Sequence, residues 1–344
     1  MRSSLIKRQL IHRGALPEPH LSLHRSLQLN ILNSLAKHST KRQQTFERAV
    51  SLVREAFPQQ SGIMTPVNHH WEIYEKYQPH VMSLQSLFRN EDGALTGTST
   101  FATLLSDEAN YFWERNFLHD GIEASRLAVS ILDSIQPPNL NDQAQARCLW
   151  GDMNLEKGLS GREIGLKVLL ETLEIRKRSI ESPPPGGTPE EQLLYTNAWN
   201  DFGCGLLEFA EYAKAEKYLE HALDIKKRNT NKKSEPMEFA EAYMNLAMVR
   251  SFQNRYEDAK ELLAEAVELA EKANGRHSAC AQNFTFYWAT ILLMSGDLKM
   301  AQKKHENILE ERKEIFGSFS PRTRHSYYAL GMTYQKLERL EEAE

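Results

Sequence analysis

A small residue, alanine or glycine, recurs in one fixed sequence context along most of this 344-residue chain. The intervals between successive positions are 41, 50, 44, 42 and 42 residues, and the positions are Ala124, Gly165, Ala215, Ala259, Ala301 and Ala343. A period between 20 and 50 residues is typical of a solenoid, in which each unit buries its apolar face against its neighbours. The period therefore predicts an all-α chain of stacked helix pairs.

The same residue pattern surrounds the last four of these positions. In each unit a helix with an aromatic and a small residue precedes a turn and a second helix, and the first helices contain Trp199-x-x-Phe202-Gly203, Tyr243-x-x-Leu246-Ala247, Trp288-Ala289 and Tyr327-x-x-Leu330-Gly331. This pattern resembles the tetratricopeptide repeat (TPR). Units of about 42 residues resemble the long repeats of kinesin light chains, and the most specific match is Arg312-Lys313-x-x-Phe316-Gly317…Pro321-x-Thr323. The resemblance implies a right-handed α-solenoid that binds a protein or peptide on its concave face.

The pattern divides the chain into four predicted regions. Earlier helices are predicted over 22–35, 42–57 and 71–89, the last kinked or restarted at Pro79. In the first two helix pairs Phe112 and Met153 stand where a small residue is expected, so these units are degenerate. The predicted regions are a winged-helix remnant (1–58), a connecting helix and linker (59–100), degenerate helix pairs (101–182) and TPR repeats (190–344), the last repeat being truncated.

Composition narrows the class of protein. No apolar run approaches the ~18 residues that a membrane-spanning helix needs. The three cysteines (Cys148, Cys204 and Cys280) form no CxxC motif, which favours a reducing compartment, and we expect a cytoplasmic protein.

Charge is distributed unevenly along the chain. Residues 1–54 contain ten Lys or Arg and two acidic residues, a net charge of +8 within a chain whose net charge is −4. A basic block of this kind is typical of segments that bind nucleic acid or an anionic membrane, and of transit peptides. A basic surface packed against acidic groups is the simpler interpretation, and we regard nucleic-acid binding as the less favoured one.

Motifs that carry catalytic chemistry are missing from the sequence. No GxxxxGK[ST], GxGxxG, HExxH or GxSxG occurs. His69-His70 lacks a third ligand with suitable spacing, so a solvated loop end explains it better than a metal. We therefore expect no catalytic residue, no metal and no cofactor.

A second resemblance involves the N-terminal part. Leu21-Ser22-Leu23-His24-Arg25-Ser26-Leu27-Gln28 is similar to the signature that closes the winged-helix domain of NB-ARC-type STAND NTPases. In fungal NOD-like receptors of this class further motifs follow in the order found here, namely Arg42…Phe46…Ala49-Val50…Phe57-Pro58, Trp71…Pro79-His80-Val81 and the repeats. The resemblance implies that His24 is a vestigial ADP contact, although Arg25 replaces the usual Asp and no phosphate loop precedes it. An ordinary histidine at a helix start is the alternative.

The resemblance to TPR grooves also implies a set of ligand-contacting residues. They lie at exposed positions of the first helices and are Asn197, Asn200, Cys204, Met244, Met248, Asn283, Phe286, Tyr328 and Met332. Methionines and aromatic residues favour a helical or extended apolar peptide, and without a Lys/Arg clamp a chaperone tail is disfavoured. The function expected is a non-catalytic interaction module; the alternative is the regulatory part of a STAND NTPase whose nucleotide-binding domain is absent. The last repeat lacks a polar capping helix, which predicts self-association through it.

Overall fold

The computed structural model describes residues 11–13, 21–59, 70–90, 94–182 and 186–343. A short antiparallel hairpin comes first, in which strands β1 (Ile11–Arg13) and β2 (Leu21–Leu23) pair with Ile11 opposite Leu23. The sequence had predicted a helix from residue 22. Instead α1 (Arg25–Ala36) begins after His24, whose ring Nδ1 accepts a hydrogen bond from the Ser26 backbone nitrogen at 3.3 Å. A cap of this kind satisfies one of the free N–H groups at a helix start.

Two longer helices connect this region to the solenoid. They are α2 (Ser39–Ala56) and α3 (Trp71–Asn90), and α3 is continuous through Pro79 rather than restarted there. Both pack against the first solenoid helix by aromatic contacts. The ring of Phe46 on α2 meets that of Phe101 edge to face at 5.1 Å, and the ring of Phe88 on α3 lies 5.4 Å from it. The predicted His69-His70 pair is half outside the described residues, because residue 69 is not described.

Six helix pairs follow, each with a first helix and a second helix. The first helices are α4 (Ser99–Glu114), α6 (Leu140–Glu156), α8 (Pro189–Leu207), α10 (Pro236–Phe252), α12 (Ala279–Ser295) and α14 (Pro321–Lys336). The second helices are α5 (Leu118–Ser134), α7 (Arg162–Glu181), α9 (Tyr212–Asn229), α11 (Tyr256–Asn274), α13 (Leu298–Phe316) and the short α15 (Leu340–Ala343). The described chain is thus an all-α TPR-type solenoid, preceded by one hairpin and the helices α1 to α3.

Local sequence sets where several of these helices begin and end. Thr188 and Glu191 form a reciprocal capping box at the start of α8, with Pro189 at the first helical position. That arrangement satisfies free N–H groups at the helix start, where the missing N–H of a proline costs no hydrogen bond. At the other end, Gly296 terminates α12 with φ of 87°, a conformation that glycine adopts without strain.

The recurring small residues lie where two helices of a pair cross closely. Ala124, Ala215, Ala259 and Ala301 have no exposed surface. At the α6–α7 crossing the backbones of two glycines meet, since a Cβ added to Gly165 would lie 2.8 Å from the Gly151 carbonyl oxygen. The small residue of α6 is therefore Gly151, two positions before Met153, which the repeat pattern had identified as the departure.

The first helices form the inner face of the solenoid. Each first helix contacts the first helix of the next pair as well as its own partner, and no comparably close pairs of second helices occur among the described residues. The two ends of the solenoid also meet. Arg322 of α14 donates to the carbonyl oxygens of Glu114 (3.3 Å) and Trp113 (3.4 Å) at the end of α4, and the rings of Trp71 and Phe316 lie 5.3 Å apart. The helices therefore curve so that the two ends of the solenoid touch.

Candidate functional site

Asparagine side chains connect consecutive first helices along the groove. The Nδ2 of Asn245 on α10 donates to Oδ1 of Asn200 on α8 at 3.2 Å, and the Nδ2 of Asn197 donates to Oε1 of Glu238 at 3.3 Å. The predicted site residues Asn197 and Asn200 therefore lie together, although Asn200 is only 7% exposed. Asn197 Oδ1 is fully buried and accepts no hydrogen bond from a described residue.

Two aspartates and a cysteine form a cluster beside these asparagines. Cys148 and Asp152 lie one turn apart on α6 and face Asp201 on α8. The Cys148 Sγ donates to Oδ2 of Asp201 at 3.2 Å and to Oδ2 of Asp152 at 3.4 Å. One ligand atom from each residue lies within 4.8 Å of the others, a spacing that a divalent cation could bridge. The sequence had predicted no metal ligands, and its local patterns do not reveal this cluster.

Burial affects every acidic group of the cluster. Desolvation, with the Asp201 charge added, raises the pKa of Asp152 well above its usual range, and desolvation also raises the pKa of Asp201. On the next first helix, desolvation and the nearby Glu238 raise the pKa of Glu241 to about 8. The thiols respond in the same way: desolvation and the two aspartates raise the pKa of Cys204, which rules it out as a thiolate at neutral pH. The middle of the groove is thus a desolvated, acidic surface.

Two cations near this surface have their closest contacts with other groups, although the Lys226 charge opposes the larger effect of burial on the pKa values of Asp201 and Glu241. Lys226 is fully buried and pairs with Glu238 at 2.6 Å. Arg176 donates to the side-chain oxygens of Asn141 and Gln145. In the described part of the chain no Lys or Arg forms an ion pair with Asp152, Asp201 or Glu241, the three residues that we call the acidic cluster. All three side chains remain partly exposed.

The methionines and Asn283 of the predicted site have mixed surroundings. Met244 and Met248 are partly buried against the main hydrophobic core. Asn283 is partly exposed and forms no hydrogen bond with a described residue, so its amide is free to meet a ligand.

The remaining predicted site residues lie apart from the acidic cluster. Phe286 packs edge to face on His305 at 5.5 Å and under Arg312 at 4.3 Å, so its ring lies inside the helix pair rather than in the groove. Tyr328 and Met332 are 72% and 40% exposed on α14. These two residues lie three helix pairs beyond the α8 helix that holds Asn197, and His24 caps α1 near the N-terminus.

Comparisons with known proteins locate the repeats. Residues 239–279 and 278–344 each match a tetratricopeptide repeat family model. None of the curated proteins matches this chain. No helix in the described ranges is long and apolar enough to cross a bilayer.

Several solved structures have a similar fold. A tetratricopeptide repeat protein from Parabacteroides merdae ATCC 43184 is 14% identical, with a TM-score of 0.49 over 87% of this chain and 90% of that chain. BtubC (BKLC) from P. vanneervenii is 19% identical, with a TM-score of 0.47 over 67% and 85% of the two chains. The apo form of the quorum sensor NprR from B. thuringiensis is 14% identical, with a TM-score of 0.49 over 78% and 68%.

Proposed function

We propose that this chain is a non-catalytic interaction module that binds a peptide, or an extended segment of a protein, along the inner face of the solenoid. The observation that carries the proposal is the row of partly exposed polar side chains on consecutive first helices, from Asp152 through Asn197 and Asn245 to Asn283. Amide side chains have both donors and acceptors, so they can bond to the backbone of an extended peptide whatever its sequence. The TPR matches over 239–344 support the same type of module.

Photo-crosslinking tests this proposal. The photoreactive amino acid p-benzoylphenylalanine replaces Asn283 on the inner face in one variant and the exposed Glu261 on α11 in a matched variant. We expect the photoreactive residue at position 283 to crosslink to specific peptides. The same residue at position 261 should crosslink to none of those peptides. Equal crosslinking at the two positions, or none at 283, would contradict binding on the inner face.

The alternative proposal is that the chain regulates a STAND-type NTPase whose nucleotide-binding domain comes from a longer gene product or from another polypeptide. The sequence resemblance around His24 is the basis for this alternative; in the structure the exposed ring meets the Ser26 backbone nitrogen and the Ser26 hydroxyl through Nδ1 at the start of α1. By itself the chain should not bind ADP at micromolar concentrations, since one imidazole cannot hold a pyrophosphate. Calorimetry in the presence of the NTPase domain should detect ADP binding that His24→Ala weakens, and an unaffected variant would argue against this role.

Self-association through α14 is a separate proposal. Tyr327, Tyr328 and Met332 expose apolar surface, with 47%, 72% and 40% of each residue accessible. Light scattering of the wild type and of Tyr328→Lys should show loss of the dimer in the variant. A wild type that is monomeric at tens of micromolar would rule it out.

A further inference from the structure

Helix α1 has an apolar face that the rest of the described chain leaves exposed. None of its residues is buried, and Leu29, Ile31 and Leu32 are 52%, 43% and 44% exposed. Because residues three or four apart share a helix face, the apolar face consists of Leu27, Leu29, Ile31, Leu32, Leu35 and Ala36. The opposite face consists of Ser26, Asn30, Asn33 and Lys37. An exposed amphipathic helix of this kind indicates a contact surface.

Basic side chains without an ion-pair partner flank this face. Arg25 and Lys37 lie at the two ends of α1, and the next helix contributes Lys41 and Arg48 from one face of α2. All four side chains are exposed, and none forms an ion pair with a described residue, whereas Arg54 pairs with a carboxylate of α4 at 2.5 Å. The interpretation from the sequence, a basic surface packed against acidic groups, therefore applies to Arg54 but not to these four residues.

The apolar face and the free cations together narrow the chemistry of the occupant. A second copy of the chain would place basic residues against basic residues, which repel each other. Nucleic acid would pair with the cations but leave the leucines in water, and α1 has no aromatic side chain on which a base could stack. A bilayer with anionic headgroups offers acyl chains to the apolar face and phosphate groups to the cations.

We propose that α1 lies flat on a bilayer that contains anionic lipids. Its apolar face enters the boundary between headgroups and acyl chains, and the long side chains of Arg25 and Lys37 extend to the phosphate groups. Each CH₂ group removed from water strengthens binding roughly four-fold, and each Lys or Arg beside the anionic surface roughly five-fold. The contact is with the membrane surface, because the 12 residues of α1 are too few to span a bilayer. This role goes beyond peptide binding, since it would hold the inner face of the solenoid at a membrane.

Co-sedimentation of the full chain with lipid vesicles tests the inference. Vesicles of phosphatidylcholine alone are compared with vesicles in which phosphatidylserine replaces half of that lipid. We expect the wild type to bind the serine-containing vesicles about ten-fold or more tightly than the neutral ones, because only these carry a negative surface potential. Added salt should weaken this binding by screening the charges.

A double variant tests the apolar face. Leu29→Gln/Leu32→Gln should weaken binding to the serine-containing vesicles about ten-fold or more, since it removes CH₂ groups from the face that enters the bilayer. The matched control is Leu159→Gln, which changes a leucine that is 82% exposed between α6 and α7 and should not affect binding. Because no residue of α1 is buried, the melting temperature should stay the same, which confirms that the variant folds.

A second double variant tests the cations. Lys37→Gln/Lys41→Gln should also weaken binding about ten-fold or more. Lys177→Gln/Lys227→Gln removes the same net charge from exposed positions of α7 and α9, and it should have a smaller effect. Hydrogen exchange locates the contact, because the amides of α1 should exchange more slowly with serine-containing vesicles while those of α8 stay unchanged.

Several results would overturn the inference. A wild type that does not bind serine-containing vesicles, or that binds both kinds of vesicle equally, would refute it. Vesicle binding that Leu29→Gln/Leu32→Gln leaves unchanged would show attraction by charge alone, and tighter binding to duplex DNA than to vesicles would favour nucleic acid. A wild-type dimer that this variant loses in light scattering would identify a second copy as the occupant. Crosslinking at position 283 needs no lipid, so the proposed function is tested separately.

Discussion

Replacing Glu108 by Gln should stabilise the protein at alkaline pH and leave its stability near pH 5 almost unchanged. Glu108 lies in α4 with no exposed surface. Its Oε2 accepts a hydrogen bond from Gln85 Nε2 of α3, while Oε1 has no partner among the described residues. Desolvation raises the pKa of Glu108 from 4.5 to about 8; the hydrogen bond from Gln85 and the charge of Arg89 oppose this, and Asp120 adds to it.

The sign and size of the effect follow from these two pKa values. Because the folded-state pKa of Glu108 lies above the unfolded-state value, the native state binds the proton more tightly, and stability falls as the pH rises between 4.5 and about 8. Each pH unit in that window costs about 1.4 kcal/mol. Raising the pH from 5 to 8 should thus remove about 3 kcal/mol through this residue alone, an order-of-magnitude figure. Glutamine has the same shape, accepts the same hydrogen bond and does not ionise.

Urea unfolding at pH 5, 6, 7 and 8 measures the difference between Glu108→Gln and wild type. The difference isolates Glu108, because the raised pKa values of Asp152 and Glu241 affect both proteins equally. Glu72→Gln on the exposed face of α3 is the matched control, which should track the wild type at each pH. Parallel pH profiles for Glu108→Gln and wild type would refute the reasoning, as would a variant that is less stable at pH 8.

Three further changes test the packing of the solenoid. Ala259→Leu should destabilise it by about 1–3 kcal/mol in thermal unfolding, since the residue has no exposed surface, while Glu261→Leu on the exposed face should not. Lys226→Met leaves the buried carboxylate of Glu238 unpaired and should lower the free energy of unfolding in urea by about 3–5 kcal/mol. Part of this stability should return when Glu238 is also replaced by Gln. Arg322→Ala removes hydrogen bonds between the two ends and should increase the radius of gyration in small-angle scattering, whereas the exposed Arg324→Ala should not.

Periodic sequence features predicted the fold well because each repeat meets the same packing requirement. The buried positions Ala215 and Ala259 recur at one helix crossing in successive pairs, and a crossing that close excludes a large side chain. The same reasoning misplaced the small residue of α6. Spacing from an anchor cannot tell Gly151 from Met153 when the connection between helices changes length, and only the approach of the Gly165 and Gly151 backbones identifies it.

The site was harder to predict for a different reason. The predicted Asn197 and Cys204 share a helix face with Asp201, since residues three or four apart on a helix are neighbours. Carboxylates on helices are usually solvated, so nothing in the local sequence distinguishes Asp201 from many others. Its significance depends on Cys148, which is 53 residues away in sequence and 3.2 Å away in space. Residues so far apart in sequence meet only when the chain folds, so the local sequence does not predict their contact.

Buried acidic groups lie on the inner face as well as beside α3, since burial raises the pKa values of Asp201 and Glu241 as it raises that of Glu108. On the outer helices exposed acids meet nearby cations, as Glu268 meets Lys272 at 2.5 Å. On the inner face Glu238 has a buried lysine, but Asp201 and Glu241 have no ion-pair partner among the described residues. A purely structural role would not require this arrangement, because neutral side chains of the same size would pack there without repulsion. A cation supplied by a ligand would favour the ionised form of Asp201 and Glu241 and would lower the pKa values that burial raises.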